Sequence, residues 1–283
     1  MFIVLGATGH IGSELVNQLD AAGEKVIAIV HDTGKADDIR TANVERIVLD
    51  VGKTAPLHDL FRRGRRAFLL NPPADPSGDT DEAETATVRA ITDALPGSGL
   101  EKIVVASTYG AKSGERIGDL SVLFDFEQQA EASGVPTAIN RAAYYYTNLD
   151  MLLESAREGV LQTPFPGDMR LPMVSPVDIA KAAASRLLSE ADDVGIRYVE
   201  GPRRYTFDDV ATAFSTALGR PVRLETIPRN KWEESFRAVG FSPEAARAYA
   251  RMTAVTVDGP HLPADPLRGD VALLDHIRSL NGQ

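Results

Sequence analysis

The segment Gly6-Ala7-Thr8-Gly9-His10-Ile11-Gly12 constrains the fold more than any other stretch of the chain. Glycines stand at its first, fourth and seventh positions. An apolar run, Phe2 to Leu5, precedes it and reads as a buried strand. Ile11, Leu15 and Leu19 follow at helical spacing, with Gly23 placed to end the helix. A glycine turn between a strand and a helix has a specific use. The first glycine permits the tight turn, the second lets backbone approach a pyrophosphate, and the third lets the helix pack closely on the sheet. The N–H groups of the first helical turn then face the phosphates. Gly6 to Gly12, with Ala7, Thr8, His10 and Ile11 between the glycines, is therefore the expected cradle of a dinucleotide.

The alternation that begins there continues. Lys25 to Val30, Glu45 to Leu49, Arg66 to Leu70, Lys102 to Ala106 and Thr137 to Asn140 read as further strands. Helical stretches near 55–63, 81–95 and 121–133 lie between them. Strands that are apolar throughout are covered on both faces, and strand–helix alternation calls for a parallel sheet. The right-handed crossover rule leaves a Rossmann-type, doubly wound α/β fold as the simplest topology. After residue 150 the rhythm changes. Thr163 to Pro172 reads as a connector, Ile179 to Leu188 as a helix, Ile196 to Glu200 as a strand and Thr206 to Leu218 as a helix. Val222 to Ile227 reads as a strand, and Trp232 to Val239 and Pro243 to Met252 as helices. The expected organisation is residues 1–150 as the nucleotide-binding unit and 151–283 mostly as a smaller α+β substrate cap, some of whose segments return to the sheet.

Ligands of open α/β sheets bind at the carboxyl ends of the strands. Beyond the second strand come His31, Asp32 and Lys35. Asp32 suits a free ribose hydroxyl or is simply a turn residue, whereas His31 and Lys35 can converge on a 2′-phosphate, which favours NADP(H) over NAD(H). Asp50, with Val51 beside it, either reaches the adenine amino group or caps its loop. Asn71, Pro72 and Pro73 follow the fourth strand at the same edge. Residues 74–84 carry five acids and no base, and read as a solvated loop or as a rim that repels anions.

Five segments, in order, resemble the NmrA-like branch of the atypical short-chain dehydrogenase/reductase superfamily. They are GATGHIG, VASTYGA, EQQAEASGVPTAINRAAYYYTN, LPMVSPVDIAKAAA and YTFDDVATAFSTALGRPV, and together they span nearly the whole chain. The resemblance implies the Rossmann fold and a site for NAD(P). It adds Ser107 and Thr108 to the cofactor edge. Members include NAD(P)H-dependent quinone and dye reductases, isoflavone-type reductases and non-catalytic nucleotide sensors.

One departure bears on chemistry. The wider superfamily pairs Tyr and Lys one helical turn apart as its acid–base couple. Here the corresponding residues are Phe124 and Gln128; Gln128 can hydrogen-bond a ribose but brings no charge. Tyr109 and Lys112 do not share a helical face. Hydride transfer to a conjugated acceptor needs mainly orientation, so the expected activity is NAD(P)H-dependent reduction of a quinone-like or other conjugated acceptor. Tyr109, just past the fifth strand, is the candidate proton donor or alternatively a packing residue. Of Tyr144, Tyr145 and Tyr146, one or two are expected to face the pocket and stack on a planar substrate, with Tyr144 and Tyr145 the candidates, or else the three tie the cap to the sheet; Asn148 either orients the pocket or caps a helix. Arg141 is expected to pair a carboxylate beneath the pocket, Asp178 to stand at a helix start and Trp232 to pack in the cap. His261 lies in a connector.

Forty acidic against thirty basic residues give a net charge of −10, which opposes direct nucleic-acid binding. With no cysteine there is no disulfide, thiolate metal site or cysteine nucleophile. The five histidines form no local ligand pair, and no GxSxG elbow occurs. No apolar stretch is long enough to span a bilayer, and a cytoplasmic protein is expected. The competing expectation is a nucleotide sensor that acts through a protein partner without turnover. An epimerase fits least, because that chemistry leans hardest on the missing Tyr–Lys pair.

Overall fold

The structure is a computed structural model that describes residues 1–31, 42–259 and 262–280. In chain order the nucleotide-binding half comprises β1 (Phe2–Val4), α1 (His10–Ala21), β2 (Val26–Val30), β3 (Val44–Val48), α2 (Thr54–Phe61), β4 (Arg66–Leu69), α3 (Thr80–Asp93), β5 (Lys102–Thr108), α4 (Asp119–Ala132) and β6 (Thr137–Ala142). The second half comprises β7 (Tyr144–Tyr145), a 3-10 segment (Tyr146–Leu152), α5 (Leu153–Arg157), β8 (Val160–Thr163), β9 (Met173–Val174), α6 (Pro176–Leu188), β10 (Gly195–Glu200), α7 (Phe207–Leu218), β11 (Arg223–Thr226), α8 (Trp232–Ala238), α9 (Pro243–Asp258), β12 (Leu267–Arg268) and α10 (Leu273–Leu280).

Eight strands form one parallel sheet in the order β12-β10-β6-β5-β4-β1-β2-β3. The order reverses at β1 and β4, and a doubly wound sheet opens its ligand crevice at that point. Every residue of β1, β2 and β4 is buried, as strands covered on both faces must be. One apolar layer, with Leu15, Val16, Ile179 and Leu187, packs α1 and α6 on one face of the sheet; a second, with Leu57, Phe61, Val88, Ile91 and Phe126, packs α2, α3 and α4 on the other. Each such side chain contributes roughly 1.5–3 kcal/mol by leaving water.

The cap has its own core, in which Phe165 and Phe207 stack at 4.8 Å and Tyr144 meets both edge-on. Trp232, at the start of α8, is also buried, its indole N–H donating to the Ile227 carbonyl at 2.9 Å. Helix α7 opens with a reciprocal capping box between Thr206 and Asp209.

The structure corrects the expected pattern at three places. Residues 80–84 are not a loop: α3 starts at Thr80, capped by Asp79, and carries Asp81 and Glu84 inside the protein. Val160–Thr163 is a strand, paired in parallel with β11. The chain after 262 also returns to the main body as β12, beside β10, and as α10 against α7. Asp178 fixes that return. It sits buried in the first turn of α6, behind the Ser175 cap, and its carboxylate accepts the N–H groups of Asp270 and Val271 at 3.2 and 3.0 Å. Among the described residues no helix is long and apolar enough to cross a membrane.

Candidate active site

The glycine turn lies where β1 gives way to α1, at the carboxyl edge of the sheet. Gly6 has φ 67°, a conformation that glycine adopts without strain. Gly12 has no room for a side chain: a Cβ there would stand 2.1 Å from the Gly6 carbonyl oxygen. Gly9 is the N-cap of α1 and supplies no side-chain acceptor, so the helix opens with first-turn N–H groups unsatisfied by any cap. Gly9 and His10 are exposed and Ala7 is buried, its N–H bonded to the Ile29 carbonyl at 3.1 Å. A tight glycine turn, a helix packed too closely for a Cβ and open N–H groups form a cradle of the shape and polarity that a pyrophosphate takes.

Leu70 joins this cradle to a cavity. A Cβ on Gly6 would stand 3.1 Å from the Leu70 side chain, and Leu70 also lines a cavity of about 400 Å³ between the sheet edge and the cap. Ala106, Thr108 and Tyr109 of the β5 edge, Leu120 and Leu123 of α4, Tyr144, Tyr145 and Phe165, and Tyr249 and Met252 of α9 form much of its wall. Its polar groups are Asn71, Asn148, three threonines, the tyrosines, and the carboxyls of Glu84 and Asp119. The Asn71 Oδ1 is buried without a hydrogen-bond partner, an acceptor left for a ligand. Among the described lining residues none is cationic. A larger open groove, about 970 Å³ between α8 and α9, is far richer in charge and shares no residue with the glycine turn.

Burial sets the electrostatics. It pushes the Tyr144 hydroxyl up to about 12, against a hydrogen bond with Asn148. Burial and the charge of Asp119 raise Tyr145 further. Glu84 lies 4% exposed, and burial together with the Asp119 charge pushes its carboxyl up to about 8.

The structure brings several of the expected residues together. Asn71, Pro73, Thr108, Tyr109, Tyr144, Tyr145 and Asn148 line the cavity, while Tyr146 is buried in the cap core. Pro72 adjoins the rim without lining it. Other residues lie elsewhere. Ser107 points into the protein, where its hydroxyl donates to Glu127, a buried carboxylate that also takes a two-point bond from Arg141 at 2.6 and 2.8 Å. Side chains alternate across a strand, so Thr108 faces the cavity and Ser107 cannot. Gln128 is exposed and does not line the cavity: α4 begins at Asp119, and Gln128 lies roughly 13 Å further along the helix. Tyr109 lines the cavity, yet its hydroxyl donates to Glu200 at 3.1 Å, and burial plus the Glu200 charge raise its pKa. Glu200 is fully buried and held by Arg204 and Arg268. A phenol committed to a carboxylate is a poor proton donor to a substrate.

Asp50 accepts the Gly52 N–H at 2.9 Å, as a loop cap does. Val51 packs against the lower core, and His31 is exposed just past β2. Lys35, Asp32 and His261 lie outside the described residues. The two acidic residues of the cavity, Glu84 and Asp119, were not singled out in the sequence. A signal for Glu84 was present: it shares a helical face with Val88 and Ile91, both fully buried.

Comparison with known proteins agrees with this geometry. The NmrA-like family matches residues 1–258. An NAD(P)H azoreductase of Xenophilus azovorans is 26% identical over 284 residues, covering 100% of this chain and 93% of the relative. Among solved structures, the Citrobacter sp. triphenylmethane reductase complexed with NADP(H) superposes with a TM-score of 0.83 at 19% identity, covering 99% of this chain and 100% of that one. An NADPH-dependent quinone oxidoreductase from Escherichia coli, complexed with NADPH, gives 0.82 at 19% identity over the same shares.

Proposed function

Because this chain belongs to the NmrA-like family, we propose that it is an NAD(P)H-dependent oxidoreductase that passes hydride to a small quinone-like, azo or otherwise conjugated acceptor. One observation carries the proposal: an aromatic-lined cavity opens beside the glycine cradle and shares Leu70 with it. The azoreductase relative and the quinone and dye reductases of the same fold support the acceptor class. NADP(H) is the favoured dinucleotide, on the same relatives and on the basic side chains of His31 and Lys35 beyond β2 in the sequence.

When bound, the reduced dinucleotide supplies the hydride. The chain supplies the rest. The Gly6–Gly12 backbone and the α1 N-terminus hold the diphosphate. Thr108 and Asn71 stand where the sheet edge meets the cavity, and the free Asn71 Oδ1 is positioned to accept a hydrogen bond from an amide or hydroxyl. Tyr144, Tyr145 and Tyr249 offer ring faces to a planar acceptor, with Asn148 steadying the Tyr144 hydroxyl. The cap partly encloses this space. An aromatic-lined cavity beside the glycine cradle favours turnover over a sensor that acts through a partner. A reaction that draws on reduced dinucleotide supports the reading of a cytoplasmic protein.

Two acids and no described cation in the lining make anionic acceptors unfavourable. Steady-state oxidation of NADPH with 2-methyl-1,4-naphthoquinone, its sulfonated derivative and a neutral azo dye tests the proposal. The neutral acceptors are expected to turn over, with kcat/KM at least about tenfold above the sulfonated quinone. Turnover of none of them contradicts the proposal.

A further inference from the structure

The cavity contains a pair of carboxyl groups that hydride transfer alone does not use. Glu84 projects from α3, and Asp119 is the first residue of α4. Both line the cavity, and their side chains lie close enough to interact. The Glu84 Oε1 accepts the Ala74 N–H at 3.0 Å. Two neighbouring carboxyl groups, one of them buried, disfavour double ionisation, so the resting pair holds one proton. The surroundings reinforce this. Asp81, also on α3, adds negative charge, while Tyr145 and Tyr249 face the pair as neutral phenols. Arg116 and Arg251 act on Asp81, and Arg116 is itself occupied by Asp79.

We propose that Glu84 and Asp119 act together as the general acid of the reaction, holding one shared proton against the cavity and delivering it to the acceptor atom that becomes anionic on reduction. This rests on the reductase reading above and deepens it. The balance is simple. The acceptor takes a hydride, two electrons and one proton, from the reduced dinucleotide and is left with an extra electron pair on oxygen or nitrogen. One carboxyl O–H bond breaks and one O–H or N–H bond forms on the acceptor. The pair, now doubly ionised, regains a proton from water when product leaves. The pair thereby fills the role left empty where Phe124 and Gln128 replace the Tyr–Lys couple, and which Tyr109, bonded to Glu200, does not fill. The raised Glu84 carboxyl keeps the proton in place at neutral pH.

Two readouts test this, one of them without turnover. Infrared difference spectra of the cofactor-free protein are expected to show a protonated-carboxyl band that titrates near pH 8 and is lost in both Glu84→Gln and Asp119→Asn. In quinone reduction at saturating NADPH, Glu84→Gln is expected to lower kcat by roughly 10²-fold and to flatten the fall in rate above that pH, with NADPH affinity unchanged. Asp119→Asn provides a second variant should either fold poorly. A Glu84→Gln protein with wild-type kcat and pH profile, or a wild-type protein with no such band, overturns the assignment. Wild-type protein that binds NADPH but reduces neither quinone nor azo dye overturns the reductase reading itself, and this role with it.

Discussion

At Gly9 the backbone is extended, with φ −82° and ψ 169°, and a Cβ would meet the Gly6 carbonyl oxygen at an ordinary 3.4 Å. The fold therefore tolerates a side chain there, while the phosphate cradle does not. Gly9→Val is expected to fold within about 1 kcal/mol of wild type by urea denaturation, and to lose NADPH affinity by at least about 100-fold. Gly12→Ala is expected to behave in the opposite way, losing the fold before the ligand, because its Cβ has only 2.1 Å. Glu84 gives a second prediction with a definite sign. Its carboxyl is raised from 4.5 to about 8 in the folded protein, so between those values the folded state holds a proton that the unfolded chain has released. Stability accordingly falls as pH rises through that window. Glu84→Gln carries no such charge and is expected to flatten the slope, which urea midpoints across the window measure. The glycine turn was legible because its physics is local: three glycines at fixed spacing, a strand before and a helix after. The Glu84–Asp119 contact was not legible, because its members are far apart in sequence and meet only through the packing of α3 beside α4.

Elements meet around the cavity through a few specific contacts. The segment between β5 and α4 is fastened to the start of α3 by Arg116, whose guanidinium bonds both oxygens of Asp79 at 2.8 Å. Arg116 has φ 51°, unusual for a residue with a side chain, and Asp79 also caps α3 through the Glu82 N–H. Ser242, the N-cap of α9, donates to the Gly78 carbonyl at 2.6 Å and brings the cap helix onto the same loop. The Arg116 pair is partly exposed, so its loss costs only about 0.2–1 kcal/mol of stability. The effect of Arg116→Ala is expected instead in KM for the acceptor, raised several-fold with NADPH affinity unchanged, as steady-state and binding measurements read separately. Longer elements were readable from periodicity to within a few residues. β12 was not, since Leu267–Arg268 becomes a strand only by pairing with β10. α10 had a signal that went unused: Leu273, Leu274, Ile277 and Leu280 recur at helical spacing, and Leu273 and Ile277 are buried.

Across the whole molecule, the order reversal at β1 and β4, the glycine cradle and the cavity under the cap all fall at one edge of one sheet. Strand–helix alternation predicts that edge, because every parallel strand ends there. The cap wall was only partly foreseeable: the tyrosines after β6 follow a strand that the sequence marks, whereas Tyr249 and Met252 reach the cavity through the placement of α9 over α3. With a net charge of −10, a diphosphate is expected to be held by the glycine cradle rather than by any general attraction for anions. Calorimetric titration of the cofactor-free protein with NADPH, NADP⁺, NADH and NAD⁺ in one buffer tests this most directly. NADPH is expected to bind with one site per chain and tighter than the other three, and Gly9→Val is expected to abolish the heat. Folded wild-type protein that binds none of the four contradicts a dinucleotide-dependent reductase at this edge.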